Sequence, residues 1–350
     1  MSIIINLLLF ILILSVIVAF HEFGHFFWAK KQGVYVYEFA IGMGPTIWST
    51  KKGETVYSLR AIPIGGFCQL AGEDFEYDKE NKVPKNKTLQ AKKPWQRFLI
   101  MVFGPVNNFI LAVVILLLLS LFIGGTTMNP VVSSVDKDLP AYEAGMRNGD
   151  KILSINKNKV TTSDDISLFL AIADPKVKNS IKVEHKSGKI ETIKVKPKKE
   201  KKGKKTTYMY GITIKQEKTK GIGAALVYTF KKTISIFKQM FITVGYLFTG
   251  HIKLTQLSGP VGIYSVVGES RSGGVASVLY LMAFLSINVG FINLLPIPAF
   301  DGGHILFIII ELIKGSPVNP ELENKIHTVF LILLMILMLF ITFNDILRLF

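Results

Sequence analysis

Four blocks of this sequence are long and apolar enough to cross a lipid bilayer as helices. The first runs from Ile3 to Phe20, and its only polar residues are Asn6 and Ser15. At about 1.5 Å per residue, such a block spans roughly one hydrocarbon thickness. The other blocks are residues 98–123, 275–295 and 328–343. Because hydrocarbon offers the backbone no hydrogen-bond partner, the pattern predicts a polytopic α-helical membrane protein with about four transmembrane helices.

A signal peptide is the alternative interpretation of the first block. Signal peptides carry basic residues before the apolar stretch and a cleavage site of small residues after it. Here no Lys or Arg precedes Phe20, and the block continues directly into HEFGHFFW. The first block is therefore interpreted as a membrane span.

Residues 221–250 are also apolar, but they include Lys231, Lys232 and Lys238. This mixture is more typical of an amphipathic helix at the membrane surface than of a full span. A fifth span is the alternative.

The distribution of positive charge predicts the orientation of the chain in the membrane. Lys30 and Lys31 follow the first block, and three basic residues between positions 92 and 97 precede the second. Because basic residues near span ends are enriched on the cytoplasmic side, the loop of residues 30–95 is expected to be cytoplasmic. The amino terminus, the segment after the second block and the carboxy terminus are then expected outside.

The formal net charge is +16, and a lysine-rich run, KVKPKKEKKGKK, occupies residues 194–205. This run contains none of the aromatic side chains that stack on bases at many nucleic-acid-binding surfaces. A solvated hairpin tip or linker is expected here, with attraction to anionic lipid headgroups as the alternative, and no nucleic-acid partner is expected. The only cysteine is Cys68, so no internal disulfide is possible.

Two segments between the apolar blocks predict β-structure. In the loop of residues 30–95, short alternating stretches broken by glycine and proline predict a β-hairpin or small sheet. Residues 126–217 have a soluble composition, with a predicted helix over 163–173 and several predicted strands. The chain is thus expected to comprise an amino-terminal membrane part, a β-rich domain and a carboxy-terminal membrane part. Their predicted ranges are 1–125, 126–217 and 218–350.

The segment HEFGH places two imidazoles and a carboxylate at the end of the first apolar block. On a helix, His21 and His25 lie one turn apart on one face, where neutral nitrogens can hold zinc. Glu22 lies beside them and is the candidate general base for a water molecule. Ionisable groups are costly at membrane depth, so they are retained only where something compensates them. A zinc ion does so, because ligation favours neutral imidazole and a dication stabilises a nearby carboxylate.

A catalytic zinc ion usually has three protein ligands, so a third must come from elsewhere. The segment NLLPIPAFDGGH, residues 293–304, follows the third apolar block, and Pro296 and Pro298 interrupt its helix. Irregular backbone at membrane depth is tolerated only where protein or a wet cavity receives it, so the interruption points to a site. Asp301 is the preferred third ligand, and His304 is the competing one.

The β-rich segment resembles a PDZ domain. The resemblance rests on the spacing of Pro140, Ala141, Ala144, Gly145, Gly149, Asp150, Ile152, Leu153, Ile155 and Asn156. PDZ domains bind extended segments by strand addition at a sheet edge. The resemblance therefore implies a module that binds peptides or excludes large substrates, and a simple spacer is the alternative.

Taken together, four features resemble the site-2 protease family of intramembrane zinc metalloproteases, in particular the bacterial branch with a single PDZ domain. These features are HEFGH, the PDZ-like insert, SGPVGI at residues 258–263 and NLLPIPAFDGGH. The resemblance implies Zn²⁺ as the cofactor. The resemblance also implies that the zinc ligands are His21, His25 and Asp301 and that the general base is Glu22.

The same resemblance implies roles around this centre. Asn288 and Asn293 match positions that hold the substrate strand. IGMGP at residues 41–45 and IPIGGF at residues 62–67 are similar to the glycine motif and the membrane-associated β loop of the family. Phe300 departs from the family, which more often has leucine before the aspartate, and this change in bulk bears on the shape of the pocket.

The implied function is cleavage of the transmembrane segment of single-span membrane proteins by zinc-activated water. Trimmed anti-sigma factors and remnant signal peptides are the implied substrates, and the outer PDZ domain would admit only proteins whose outer part has been removed. The implied location is the bacterial cytoplasmic membrane, with the active site near the cytoplasmic side. The lipid bilayer is a further partner, and the sequence does not set an oligomeric state.

Two other classes of protein are considered. Transporters also have broken helices and buried charges. A transporter is, however, expected to contain paired repeats, and HEFGH has no counterpart in the second half of the chain. A membrane-tethered PDZ scaffold with a degenerate metal site is the second alternative. The intact set of His21, Glu22, His25 and Asp301 argues against it.

Overall fold

The computed structural model describes residues 2–73, 83–202 and 205–349. Its helices are α1 (Ser2–Lys31), α2 (Pro94–Phe122), α3 (Pro140–Glu143), α4 (Ser163–Ile172), α5 (Ile222–Phe248), α6 (Pro260–Ser272), α7 (Val275–Leu294), α8 (Asp301–Lys314) and α9 (Pro320–Leu349). Its strands are β1 (Val36–Lys52), β2 (Thr55–Leu70), β3 (Gly125–Thr126), β4 (Val132–Val135), β5 (Lys151–Ile155), β6 (Asn158–Lys159), β7 (Asn179–Glu184), β8 (Ile190–Val195), β9 (Lys198–Lys202), β10 (Lys205–Met209), β11 (Ile212–Ile214) and β12 (Lys218–Thr219).

Four helices of the described chain, α1, α2, α7 and α9, are long and apolar enough to cross a membrane. The prediction of about four transmembrane helices is therefore confirmed. Three of these helices are longer than their apolar blocks, because α1 continues to Lys31, α2 begins at Pro94 and α9 begins at Pro320. The added parts of α1 and α9 carry His21, His25 and His327.

Much of the apolar surface of these helices is exposed. The exposed fraction reaches 72% for Ile3 in α1 and 68% for Leu339 in α9. A contiguous apolar surface of this kind would drive association in water, whereas lipid tails cover it in a bilayer. The exposure is thus what a membrane-embedded bundle requires.

Contacts along the chain define two compact units, Met1–Leu116 with Leu254–Phe350 and Leu117–Lys253. In the first unit, the two polar residues of the first apolar block both have partners. The Asn6 side-chain oxygen accepts a hydrogen bond from Arg271 of α6 at 2.9 Å. The Ser15 hydroxyl donates to the backbone carbonyl of Pro63 in β2. These bonds give both polar side chains a partner within the protein.

Strands β1 and β2 form an irregular antiparallel hairpin, as predicted for the first loop. The hairpin lies along α1 rather than away from the membrane. A Cβ atom added at Gly66 would lie 3.6 Å from Val18 of α1, and Pro63 bonds Ser15. The apolar middle of the hairpin therefore lies beside the span, where water cannot satisfy an unpaired strand.

The segment SGPVGI has a structural role at the start of α6. The carboxylate of Asp345 in α9 is buried, and its Oδ2 accepts hydrogen bonds from the backbone N–H groups of Gly259 and Gly262, each at 2.8 Å. A carboxylate is favoured at the positive end of a helix. Asp345 thus holds the first turn of α6 against α9.

The second unit is rich in β-structure, as predicted. Its main sheet has the strand order β6-β5-β7-β8, and shorter antiparallel pairs join β4 with β11 and β3 with β12. Ile152, Ile155, Ile166 and Ile181 are fully buried at its core. Most of the lysine-rich run lies in β9 and at the start of β10, which pair antiparallel, and residues 203–204 lie outside the described residues.

Helix α5 belongs to the same compact unit as the β-rich fold. Its polar side packs on α4 and on the preceding loop: Lys232 pairs with Asp164 at 2.7 Å, and Lys238 pairs with Asp165 at 2.8 Å. Its apolar residues form an exposed stripe at helical spacing. This stripe comprises Ile222, Leu226, Phe230, Ile234, Phe241 and Phe248. Helix α5 is therefore amphipathic, and it is not among the four helices that are apolar enough to span.

Asp165 joins the start of α4 to α5. Its buried carboxylate accepts hydrogen bonds from the backbone N–H groups of Thr161 and Thr162 and from the ammonium group of Lys238. Burial opposes ionisation of the carboxyl group, but the Lys238 and Thr161 hydrogen bonds outweigh burial and lower the pKa of Asp165. The charged form is thus favoured by folding.

We expect Asp165→Asn to destabilise the β-rich unit by about 2–4 kcal/mol, because Lys238 loses its charged partner and the new amide NH2 group replaces Oδ1, a buried oxygen without a hydrogen-bond partner among the described residues. Hydrogen exchange of α4 and β5 in the full-length protein measures the loss. The exposed Asp138→Asn is the control and should not change exchange. Since folding lowers the pKa of Asp165, its contribution should be present above about pH 4 and be lost as the pH falls further. Wild-type exchange rates in Asp165→Asn would contradict this assignment.

Candidate metal centre

The carboxy-terminal part of α1 carries the HEFGH segment on a continuous helix. A helix repeats every 3.6 residues, so His21 and His25 lie one above the other on the same face. Both side chains are buried, each with 7% of its surface exposed. They face the start of α8, where Asp301 is the first helical residue.

The structure brings His21, His25 and Asp301 together. The two Nε2 atoms are 3.2 Å apart. His21 Nε2 lies 3.1 Å from Asp301 Oδ2, and His25 Nε2 lies 3.4 Å from Asp301 Oδ1. Tetrahedral zinc bonds of about 2.0–2.1 Å place neighbouring ligand atoms about 3.3 Å apart. The three residues therefore fit a zinc ion at their centre.

Hydrogen bonding supports the same fit. Asp301 Oδ2 is buried and, although His21 Nε2 lies 3.1 Å away, it makes no hydrogen bond within the described part of the chain. A buried carboxylate oxygen without a donor is costly unless a cation compensates it. A metal ion between the imidazoles and the carboxylate supplies that compensation.

Asp301 is positioned by the interruption after α7. The chain leaves α7 at Leu294, passes Pro296 and Pro298, and folds back against the first turn of α8. A Cβ atom added at Gly302 would lie 2.1 Å from the backbone oxygen of Leu295. Only glycine permits the backbone at position 302 to lie this close to Leu295. The glycine after Asp301 therefore helps to fix the position of the Asp301 carboxylate.

The other imidazole nitrogens are held by α2. His25 Nδ1 lies 2.9 Å from the backbone oxygen of Ile100, which can only accept a hydrogen bond. His25 Nδ1 therefore carries the proton, and its Nε2 is free for a metal. The amide nitrogen of Asn108 lies 3.2 Å from His21 Nδ1, and the amide oxygen is buried without a hydrogen-bond partner among the described residues, so the reversed orientation of the amide is favoured once a metal occupies Nε2. When the amide presents its oxygen to Nδ1–H, Nε2 of His21 is free as well.

Sequence reasoning missed this supporting layer. Asn108 is fully buried, its backbone oxygen accepts a hydrogen bond from Ser286 of α7 at 2.8 Å, and Asn107 donates to the backbone oxygen of Phe20 at 2.9 Å. The available signal was the pair of adjacent asparagines in the second apolar block, since buried amides in a span need partners. Asn108 is a positioning residue that acts through His21.

Helix α2 approaches the metal ligands at Gly104. A Cβ atom added there would lie 2.2 Å from Nε2 of His25. A reciprocal contact exists at Gly24 of α1, whose added Cβ would lie 2.1 Å from the backbone oxygen of Phe103. Small residues let membrane helices approach closely. The space for a metal ion thus depends on a missing methyl group.

A cavity of about 640 Å³ opens beside the three ligand residues. Glu22 lines it, as do Glu38, Arg60 and Gln69 from the hairpin. Arg60 forms a bidentate ion pair with Glu38 at 2.7 and 2.8 Å. These charged and polar groups can form hydrogen bonds with water in the cavity. Glu22 therefore faces a space in which a water molecule and a peptide can meet the metal.

The structure places the remaining predicted site residues elsewhere on the bundle. Asn288 and Asn293 lie on α7, and neither is among the described residues that line this cavity. The Asn288 amide donates to the backbone oxygen of Phe284 at 2.9 Å. His304, the competing ligand, faces Glu323 of α9 with its Nδ1 at 3.3 Å from the carboxylate.

The β-rich unit has a groove of its own, with a volume of about 600 Å³. Its walls come from β4, β11 and α4, with Val135, Leu170 and Ile212 among the lining residues. A groove between a strand and a helix suits an extended peptide.

Sequence comparisons extend over nearly the whole chain. The sequence model of peptidase family M50 matches residues 9–337. The "Regulator of sigma-W protease RasP" of Bacillus subtilis (strain 168) is 34% identical, over 97% of this chain and 98% of that protein. The "Zinc metalloprotease RasP" of Bacillus licheniformis is 35% identical, over 97% of this chain and 98% of that protein.

Proposed function

Because the chain belongs to peptidase family M50, the site-2 protease family, and is therefore a zinc metalloprotease, we propose that it hydrolyses peptide bonds inside the transmembrane segments of single-span proteins. One observation carries the proposal. The span α1 and the start of α8 bring His21, His25 and Asp301 within 3.4 Å of one another, beside a polar cavity.

In this proposal, Nε2 of His21, Nε2 of His25 and the Asp301 carboxylate hold the Zn²⁺ ion. Bound there, zinc supplies a Lewis acid that activates water and polarises a peptide carbonyl. The Glu22 carboxylate takes a proton from the attacking water. It then delivers that proton to the leaving nitrogen as the C–N bond breaks. The contacts of α2 with Nδ1 of both imidazoles orient the rings so that each Nε2 points to the metal.

The hairpin is proposed to hold the substrate. A peptide bond within a membrane helix is hydrogen-bonded and shielded, so the helix must unwind before water can attack. The unwound strand loses its backbone partners, and a strand beside the span can replace them. The hairpin carries exposed apolar residues such as Ile41, Met43 and Ile62, and its Arg60 and Glu38 line the cavity. Asn288 and Asn293 are proposed, from the family resemblance alone, to bind the same strand.

The β-rich unit is proposed to act as a PDZ domain that restricts access to the bilayer site. Its groove supports peptide binding, and its insertion in the sequence between the spans α2 and α7 supports exclusion of proteins with a large outer part. The Bacillus subtilis relative is named for regulating sigma-W. Trimmed anti-sigma factors, other single-span regulators and remnant signal peptides are accordingly the proposed substrates.

The proposed location is the bacterial cytoplasmic membrane, with the metal centre near the cytoplasmic side and the β-rich unit outside. The positive charges that flank α1 and α2 support this orientation. The exposed apolar stripe of α5 supports contact between this helix and the membrane surface.

The proposal is tested with the zinc-loaded protein and a single-span substrate in lipid nanodiscs. We expect product masses that place the cut inside the substrate's transmembrane segment, and no cleavage after a chelator removes zinc. Replacing two leucines near the cut with glycine should speed cleavage about tenfold, since unwinding then costs about 1–2 kcal/mol less. The same replacement outside the membrane segment is the control. Cuts confined to soluble regions, or rates that ignore the glycines, would contradict the proposal.

A further inference from the structure

A second cluster of candidate metal ligands lies one helical turn beyond Asp301. His304 of α8 faces Glu323 and His327 of α9. His304 Nδ1 is 3.3 Å from Glu323 Oε1, and His327 Nε2 is 4.0 Å from the same oxygen. One ligand atom from each residue lies within 4.8 Å of the other two. These are residue types that zinc prefers, at separations slightly wider than those of the first centre.

The cluster contains an unsatisfied nitrogen. Nε2 of His327 is buried and has no hydrogen-bond partner within the residues that the structure describes. The rings of His304 and His327 stack with centroids 4.1 Å apart and planes inclined by 24°. Pairing of His304 with Glu323 leaves Nε2 of His327 buried and unsatisfied, close to a carboxylate. A bound cation removes this cost, because it uses the lone pairs of the imidazoles and the charge of Glu323.

The ligand spacing on α9 is favourable for metal binding. Glu323 and His327 are four residues apart, so they project from the same face of the helix, as His21 and His25 do in α1. Tetrahedral coordination requires ligand atoms about 3.3 Å apart. His304 and Glu323 already meet this distance, and the 4.0 Å between His327 Nε2 and Glu323 Oε1 exceeds it by about 0.7 Å.

The cluster is open to ions from a cavity of about 490 Å³. His304, Glu323 and Asn319 line this cavity, as do Glu73 and Met101. Glu73 and Met101 also line the cavity beside the first centre. An aqueous ion therefore has a route to the cluster, and water can complete the coordination shell.

We propose that His304, Glu323 and His327 form a second site for a divalent transition metal, with Zn²⁺ as the ion that its ligands fit best. The site ties the first turn of α8 to α9. Because Asp301 begins that turn, an ion at the second site restrains the helix that positions this zinc-binding carboxylate. Its role is structural, and it does not depend on the substrate proposed above.

Zinc content measures this proposal directly. Full-length protein is saturated with zinc, passed through a desalting column and analysed by elemental mass spectrometry. We expect two equivalents in the wild type, one in His21→Ala/His25→Ala and one in His327→Gln. Combining all three substitutions should leave none. The matched control is His251→Gln, a histidine outside both clusters, which should retain two equivalents.

Thermal unfolding measures zinc binding independently, because a metal that binds only the folded protein raises Tm. In His21→Ala/His25→Ala, added Zn²⁺ should raise Tm, and the rise should disappear when Glu323→Gln is added. A wild type that retains one equivalent, lost entirely in His21→Ala/His25→Ala, would overturn the proposal. A second equivalent that persists in Glu323→Gln/His327→Gln would overturn it as well.

Discussion

Glu22→Gln should reduce cleavage of a single-span substrate by about 10²–10⁴-fold while the zinc content stays unchanged. Glu22 lines the cavity beside the three ligand residues, and its carboxylate is the proposed acceptor for the proton of water. Glutamine keeps the size of the side chain but cannot take up a proton. The loss should therefore appear in the rate of cleavage and not in metal binding.

Glu54→Gln is the matched control for this prediction. Glu54 lies at the turn of the hairpin and forms ion pairs with Lys30 and Lys87. Its removal should leave cleavage near the wild-type rate, because surface ion pairs contribute little. Product formation followed by gel and mass spectrometry measures both variants. Equal cleavage by Glu22→Gln and wild type would exclude Glu22 as the base.

Gly104→Ala should remove one equivalent of zinc and abolish cleavage. The added methyl group would lie 2.2 Å from Nε2 of His25, which is the atom proposed to bind the metal. Neither partner can move cheaply, since His25 Nδ1 is bonded to Ile100 and Gly104 is part of α2. Overpacking of this kind typically costs about 1–3 kcal/mol, and here it falls on a ligand.

Gly223→Ala controls for the effect of a methyl group on a helix. A Cβ atom added at Gly223 of α5 meets nothing within 4 Å, so zinc content and cleavage should be unchanged. Elemental analysis and the cleavage assay are applied to both variants. Full zinc content in an active Gly104→Ala protein would show that α2 does not approach the ligands as described.

Local sequence patterns predicted much of this structure. The apolar blocks identified α1, α2, α7 and α9 because a membrane span depends on length and composition alone. His21 and His25 were predicted to lie on one helical face because residues four apart are neighbours on a helix, which is also a local property of the sequence. Glycine and proline signals located the hairpin and the interruption before Asp301, since those residues restrict the backbone directly.

Contacts between distant segments could not be predicted in the same way. The carbonyl of Ile100 supports His25 only because α2 crosses α1 at Gly104, and no periodicity encodes that crossing. The hairpin was expected in the cytoplasmic loop, but its position along α1 depends on tertiary contacts such as Ser15 with Pro63. The cluster of His304, Glu323 and His327 was hidden because α9 extends beyond its apolar block.

The central claim is that His21, His25 and Asp301 bind one zinc ion within the membrane-embedded bundle. Anomalous diffraction from crystals of the zinc-loaded protein, collected on both sides of the zinc absorption edge, tests it most directly. We expect a peak about 2.0–2.2 Å from His21 Nε2, His25 Nε2 and an Asp301 oxygen. An active, zinc-loaded protein without a peak between these three residues would contradict the claim.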